Sequence, residues 1–286
     1  MPMKGRACAF LFPGQGSQEV GMGKAFYEAF PEAREIWHEA NDALGFEVAT
    51  LAFGGPPAAL QLTANAQPAI LTASVAAARV LRAHGIVPAA AAGHSLGEYS
   101  ALVVAGALAF RDAVRLVRRR GEFMQEAVPV GAGAMAALIG PDAETAGALC
   151  REASRDGVVE VANLNGPEQV VVAGHTRAVE RLVGELGGIA IRAPSFPVMR
   201  NVDARPYAGA HEVADGLAAQ VASPVRWVEC VQALAGLGVS TFVEVGPGRV
   251  LTGLLKRITD GADGYAVSDP ASLEKFLVVL GGLQDG

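Results

Sequence analysis

Gly93-His94-Ser95-Leu96-Gly97 has the spacing G-x-S-x-G, in which a serine on a strained strand-to-helix turn holds its hydroxyl clear of the backbone and glycine makes room beside it. Such a serine is a nucleophile: its alcohol attacks a carbonyl and carries the acyl group as an ester. The flanks suit that part. Val87 to Ala92 is a small apolar run that reads as a buried strand, and Tyr99, Leu102, Val103 and Gly106 give helical spacing over Glu98 to Phe110. A helix beginning just after Ser95 leaves the amide of Leu96 free to face a developing oxyanion. An ordinary glycine-rich turn before a helix has the same spacing, so the motif gains its meaning from what surrounds it.

Two further groups could serve the same chemistry. Ala7 to Phe12 reads as a buried strand running into Pro13-Gly14-Gln15-Gly16-Ser17-Gln18, a loop whose glycines expose successive backbone amides to an anion. Glu19 stands where a dinucleotide fingerprint requires glycine, and no Walker lysine-serine pair follows, so an oxyanion or thioester site fits better. Downstream, Asp112 to Ala127 has helical spacing at Val114, Val117, Phe123 and Met124. Arg120 falls on the inward face of that helix, three residues from Val117 and four from Leu116, with Arg115 and Arg119 outward. A guanidinium stays charged, so an inward one calls for a carboxylate. That carboxylate is either a structural partner or the free end of a diacid-derived acyl group held bidentately.

The elements that must position these groups come from a chain of 286 residues, 51% hydrophobic and 18% charged, which is enough for a large core and a second subdomain. A net charge of -6 argues against nucleic acid or an anionic membrane as partner. Cys8, Cys150 and Cys230 are odd in number and set in apolar segments, as in a reduced cytoplasmic protein, and no metal-ligand spacing occurs. The apolar run after Lys4 and Arg6 breaks at Pro13-Gly14, too short for a signal peptide or a membrane span.

Along the chain, Gln67-Pro68 reads as a helix start with Pro68 near the first helical position, leading the alanine-rich run Ala69 to Ala83. Between Gly131 and Pro194 the pattern becomes strand Ala134 to Ile139, helix Asp142 to Ala153, strands Val158 to Asn163 and Gln169 to Ala173, helix Arg177 to Leu186, and strand Ile189 to Ala193. That is the β-α-β-β-α-β order of a ferredoxin-like unit. The expected architecture is α/β: a parallel sheet with the nucleophile elbow over residues 1–130 and 196–286, and an inserted ferredoxin-like subdomain over 131–195. The cleft between them is left for substrate. After 196 come a short strand before Asn201-Val202-Asp203, helices His211 to Val221 and Val228 to Ala235, strand Thr241 to Val245, helix Leu251 to Ile258 and a closing helix Ser272 to Leu280.

Three separated motifs, Phe12-Pro13-Gly14-Gln15-Gly16-Ser17-Gln18, Gly93-His94-Ser95-Leu96-Gly97-Glu98 and Glu244-Val245-Gly246-Pro247-Gly248, together with Arg120-Gly121 and Phe123-Met124-Gln125, resemble the malonyl-CoA:acyl carrier protein transacylases. The likeness runs from the first strand to the last helix and implies an α/β-hydrolase-like core. It implies that Ser95 carries a malonyl ester, that the amides of Gln15 and Leu96 form the oxyanion hole, and that Arg120 holds the malonyl carboxylate. Gln67 and His94 join Arg120 as substrate-binding residues. Gln220, ahead of Ser223-Pro224-Val225-Arg226-Trp227, matches the family glutamine that orients the catalytic histidine. No cofactor is implied, since the coenzyme A thioester is a substrate. The partners are malonyl-CoA and acyl carrier protein, in fatty acid or polyketide synthesis, with the protein a cytoplasmic monomer.

The sequence departs from the family at the catalytic histidine. There it follows the last strand of the small subdomain in a Ser-His or Phe-His dipeptide, with a helix before the Asn-Val-Asp segment; here Ala193-Pro194-Ser195 runs straight into Phe196-Pro197-Val198. His38, His84, His94, His175 and His211 do not fill the position. Either a segment carried by the functional protein is missing from this sequence between Ser195 and Phe196, or the protein has lost it by deletion. Losing a core helix should leave a cavity. A serine hydrolase is disfavoured by the inward Arg120, whereas a non-catalytic module binding acyl groups or carrier protein is permitted by the absent histidine. Arg115, Arg118 and Arg119, or Lys256 and Arg257, are the local basic clusters available to an acidic carrier protein.

Overall fold

The computed structural model describes residues 7–127, 136–139, 160–166, 169–173, 186, 188–221 and 223–282. Short apolar runs bounded by turn residues form a five-stranded parallel sheet. It comprises β1 (Cys8–Phe12), β2 (Ala90–Gly93), β6 (Val198–Met199), β7 (Thr241–Val245) and β8 (Asp263–Val267), in the order β6-β2-β1-β7-β8. β1 is central and buried along its length, pairing Phe10 with Ala91 on one side and with Val243 on the other. Alternate residues of β1 enter different cores, as the period of two requires: Phe10 and Phe12 one, Ala9 and Leu11 the other.

Helices cover both faces. The first core is filled from α1 (Lys24–Ala29), α2 (Pro31–Leu44), α3 (Val48–Gly54), α4 (Pro57–Gln61), α5 (Thr63–Ala83), α6 (Leu96–Val104) and α7 (Phe110–Ala127), with α8 (Ala210–Val221) and α11 (Pro270–Gly282) at its margins. The second is filled from α9 (Trp227–Gly236) and α10 (Val250–Ile258), through Trp227, Cys230, Val231, Leu251 and Leu254. Glu244, at the end of β7, accepts the Leu251 and Thr252 amides at 3.1 and 2.8 Å, capping the start of α10. Glu244 of the Glu-Val-Gly-Pro-Gly motif therefore joins the end of β7 to the start of α10.

A second, antiparallel sheet holds β3 (Ala136–Ile139), β4 (Glu160–Gly166) and β5 (Gln169–Ala173) in the order β3-β5-β4. These are the first three strands expected of the ferredoxin-like unit. The expected helices at 142–153 and 177–186 lie outside the described residues apart from Leu186. Its fourth strand is a correction: Ile189 to Ala193 is irregular. Instead of pairing beside β3, this stretch follows the end of α6, with the Arg192 amide on Ala107 O at 2.9 Å and the Ser195 amide on Ala105 O at 2.8 Å. The direct run from Ser195 into β6 draws it there. A cavity of about 200 Å³ opens at this junction, lined by Phe10, Val75, Arg79, Arg82, Ser195 and Phe196 among others.

Two other expectations change. Pro68 lies inside α5, which begins at Thr63. Proline cannot donate to the carbonyl of Ala64, and that carbonyl is taken instead by Arg118 Nη1 at 3.0 Å. The helix expected over 98–110 divides at the turn Ala105–Gly106, where Gly106 has φ 76°. Among the described residues no helix is long and apolar enough to cross a membrane.

The elbow is the tightest point. A Cβ on Gly93 would lie 1.8 Å from the Gly97 carbonyl carbon. Gly93→Ala should therefore cost more than about 4 kcal/mol and yield little folded protein. Gly253, within α10 with nothing within 4 Å of an added Cβ, is the contrast: Gly253→Ala should stabilise by about 0.5–1 kcal/mol in denaturant unfolding.

Candidate active site

Ser95 sits between β2 and α6 with φ 51° and ψ -105°, backbone angles that only a tightly held non-glycine residue keeps. Asn201 holds it. Its Oδ1 accepts the Ser95 amide at 2.7 Å while its Nδ2 donates to Gly93 O at 2.7 Å, so one carboxamide clasps both sides of the turn. The Ser95 carbonyl accepts the Gln220 carboxamide at 2.9 Å and the Glu98 amide at 3.1 Å.

Arg120 reaches the serine from α7. Gly121 permits this, because a Cβ there would meet Ala64 Cα at 2.7 Å, and its absence lets α7 lie against the start of α5. The guanidinium is 5% exposed. Its Nη1 donates to Gln67 Oε1 at 2.8 Å, its Nη2 to Ser95 Oγ at 3.1 Å and to Gln220 Oε1 at 3.4 Å, and its carbon lies 5.5 Å from the Tyr99 ring centroid. Among the described residues no carboxylate forms an ion pair with it. The expectation of an inward arginine holds, and its charge is met only by neutral acceptors and a ring face.

The structure thus brings Ser95, Arg120, Gln67 and Gln220 together. Leu96 opens α6, and neither its amide nor that of Gln15 donates a hydrogen bond among the described residues, leaving both for an external acceptor. The glycine loop offers less than its sequence implies. Gly16 N donates to Gln18 Oε1 at 2.7 Å and Ser17 N to Gly14 O at 3.3 Å, so the run of amides is reduced to that of Gln15. The loop abuts the elbow, since a Cβ on Gly14 would be 2.4 Å from His94 O. His94 itself packs its ring edge-on against Trp227, with centroids 5.5 Å apart. Of the hydrogen bonds between described residues, only that from Arg120 reaches Ser95 Oγ. Among these residues no cluster of three or more metal-ligating side chains occurs.

Sequence reasoning missed a cluster beneath the elbow. Glu98 is fully buried and accepts the Tyr207 hydroxyl, Gln220 Nε2 at 2.5 Å and the Asn201 amide at 3.1 Å. The spacing Ser95-x-x-Glu98 suggests a helix capping box, yet Ser95 makes no side-chain cap. Burial pushes the Glu98 carboxyl up to about 7, against the lowering effect of those hydrogen bonds and of Arg200.

The sequence matches the acyl transferase domain family over residues 9–214. It is 45% identical to a malonyl CoA-acyl carrier protein transacylase of Escherichia coli O157:H7, covering 94% of this chain and 98% of that protein. A crystal structure of malonyl-CoA:acyl carrier protein transacylase from Xanthomonas oryzae pv. oryzae superposes with a TM-score of 0.93 at 39% identity, covering 97% of this chain and 99% of that one. A malonyl-transacylase in complex with its type II PKS acyl-carrier protein superposes at 0.88 with 41% identity, covering 96% and 99%. The alignment with the Escherichia coli protein spans 303 residues but draws on 94% of 286, about 269 residues, so about 34 of its positions have no counterpart here.

A carboxyl whose value rises on folding contributes stability that is complete below its unfolded value, 4.5, and lost as pH climbs through about 7. The unfolding free energy of the wild type relative to Glu98→Gln should therefore fall by about 3 kcal/mol between those limits and level off above them. A flat difference across that window would show that Glu98 titrates normally.

Proposed function

The chain belongs to the acyl transferase family, within its malonyl-CoA:acyl carrier protein transacylases, and on that premise we propose that it moves malonyl from coenzyme A to the phosphopantetheine thiol of acyl carrier protein through an ester on Ser95. One observation carries the reading: a buried arginine, with no carboxylate partner among the described residues, stands 3.1 Å from the hydroxyl of an elbow serine. An acyl group ending in a carboxylate supplies the missing charge and is thereby chosen over a neutral one.

In the first half-reaction Ser95 Oγ attacks the thioester carbon, and the Gln15 and Leu96 amides take the oxyanion. The C–S bond then breaks, leaving malonyl on oxygen and the coenzyme A thiol as product. In the second half-reaction the phosphopantetheine thiol attacks that ester, the C–O bond breaks, and the serine regains its proton. Gln67 and Gln220 hold Arg120 over the acyl group, and His94 backs the elbow where the thioester enters. The carrier is assigned to fatty acid synthesis in the cytoplasm, with the protein acting as a monomer; a polyketide carrier would use the same two steps.

Arg120 stabilises an alkoxide but cannot accept the serine proton. Among the described residues no histidine bonds Ser95 Oγ, and a site without one forgoes general-base assistance, a contribution of about 10²–10⁴ in rate. A protein that only holds the acyl group is the second reading, and the lack of an imidazole on Ser95 Oγ among the described residues is what favours it. Added imidazole should raise the rate of Ser95 malonylation if the site is otherwise complete, and steady release to carrier protein distinguishes a transferase from a stoichiometric holder.

Ser95→Ala should abolish labelling by malonyl-CoA in intact-mass measurements while leaving thermal stability near wild type; a labelled mutant would sink the assignment. Arg120→Ala should lower the ratio of malonyl to acetyl transfer by about 10- to 100-fold, the worth of a charged hydrogen bond. Arg118 is bound to Ala64 O and Glu122, and Arg119 to Glu122, so Lys256 and Arg257, exposed on α10, are the better carrier-protein contacts. Reversing both to glutamate should raise KM for carrier protein and leave the coenzyme A half-reaction unchanged.

A further inference from the structure

Glu98 lies under the site rather than in it, and its contacts form a hub. Three donors converge on one buried carboxyl: the Tyr207 hydroxyl, the Asn201 backbone amide and Gln220 Nε2. Two of them lead straight to the serine. Asn201 clasps the elbow through its side chain, and Gln220 Nε2 also donates to Ser95 O. The third consequence concerns the other end of Gln220. A carboxamide has one donor end and one acceptor end. Because Glu98 and the Ser95 carbonyl are both acceptors, they require the donor end, at 2.5 and 2.9 Å, and the acceptor end is left facing Arg120 Nη2 at 3.4 Å. Gln67 Oε1 supports Nη1 from the other side. The direction of the guanidinium thus depends on which way Gln220 is turned, and Glu98 fixes that turn.

We propose that Glu98 is a positioning residue for acyl-group selection, setting the orientation of the Gln220 carboxamide and, through it, of Arg120 over Ser95. This rests on the reading that Arg120 takes the carboxylate of the acyl group. In Glu98→Gln the side chain brings its own N–H donors into a site already supplied with three. The Tyr207 hydroxyl can turn to accept from that amide, but the one oxygen that remains is neutral and grips the Gln220 NH2 less strongly than the carboxylate did, so the carboxamide is freed to swing its NH2 toward the guanidinium, two donors face to face. Arg120 is displaced, and recognition of a charged acyl end suffers while that of a neutral one does not. A role confined to holding the fold together would weaken both alike.

The test compares the dissociation constants of malonyl-CoA and acetyl-CoA in mildly alkaline buffer, by calorimetry on the full chain, for wild type, Glu98→Gln, Gln220→Ala, the double variant and Arg120→Ala. Glu98→Gln is expected to cut the malonyl preference about tenfold, and to cut it no further when Gln220 is already alanine, because its effect passes through that residue. An unchanged preference in Glu98→Gln overturns the proposal, as does an equal loss with and without Gln220. Should Glu98→Gln fail to fold, Glu98→Asp, which keeps the charge but withdraws it by one methylene, is held to the same two criteria. If the wild type shows no malonyl preference, or Arg120→Ala keeps it, the reading of Arg120 is what fails, and the proposal falls with it.

Discussion

Ser95 is held in a backbone conformation that costs of order 1–3 kcal/mol, and its place depends on the carboxamide of Asn201. One small side chain meets a donor and an acceptor on opposite sides of the same tight turn, satisfying the two backbone groups that the departure from regular structure leaves open. Asn201 is itself anchored by Glu98, and Glu98 by Tyr207 and Gln220. The strain at Ser95 is offset by a buried polar network whose members come from widely separated parts of the chain. Such a network is effective because it is nearly complete; a half-satisfied one would be worse than an apolar core.

The electrostatics follow a different logic. Glu98 and Arg120 are both buried, yet they meet only through Gln220, which accepts from one and donates to the other. A direct ion pair would neutralise the guanidinium and leave nothing for an incoming anion. An intervening neutral amide keeps the two charges apart while satisfying both. Pairing as tight as that of Arg200 with Asp203 and Glu212 would take up the guanidinium's charge.

The strands Gln169–Ala173 and Thr241–Val245 could be read to the residue, because β-branched runs there end sharply at turn residues. β8 could not: Asp263-Gly264-Tyr265-Ala266-Val267 starts polar, lies at the sheet edge and is half exposed, so it carries no apolar pattern. Ser95 and Arg120 were legible from a motif and from a helix face. The glycine loop was read only as a run of free amides, with Gln15 singled out by the family resemblance, and the internal bonds that withhold Gly16 and Ser17 are visible only in three dimensions. Pro68 misled because its compensation, an arginine 50 residues downstream in another helix, is tertiary. Glu98 was not singled out at all, because the donors that converge on it, Asn201, Tyr207 and Gln220, lie more than 100 residues downstream.

The pairing of β1 with β7 joins the first strand of the chain to one made near its end. Contacts of such sequence separation close slowly, because the loop entropy must be paid before they return anything. On a ribosome adding about 5–20 residues per second, β1 waits on the order of ten seconds or more for that neighbour. Throughout that interval one edge of an apolar, parallel sheet stays open, the condition in which nascent chains aggregate or require a chaperone. Ser95 shares the delay. Its clasp arrives with Asn201 and Gln220, so a nascent chain that has already displayed the whole serine motif has no formed elbow, and the turn takes its final shape only as the last third of the protein folds back onto the first.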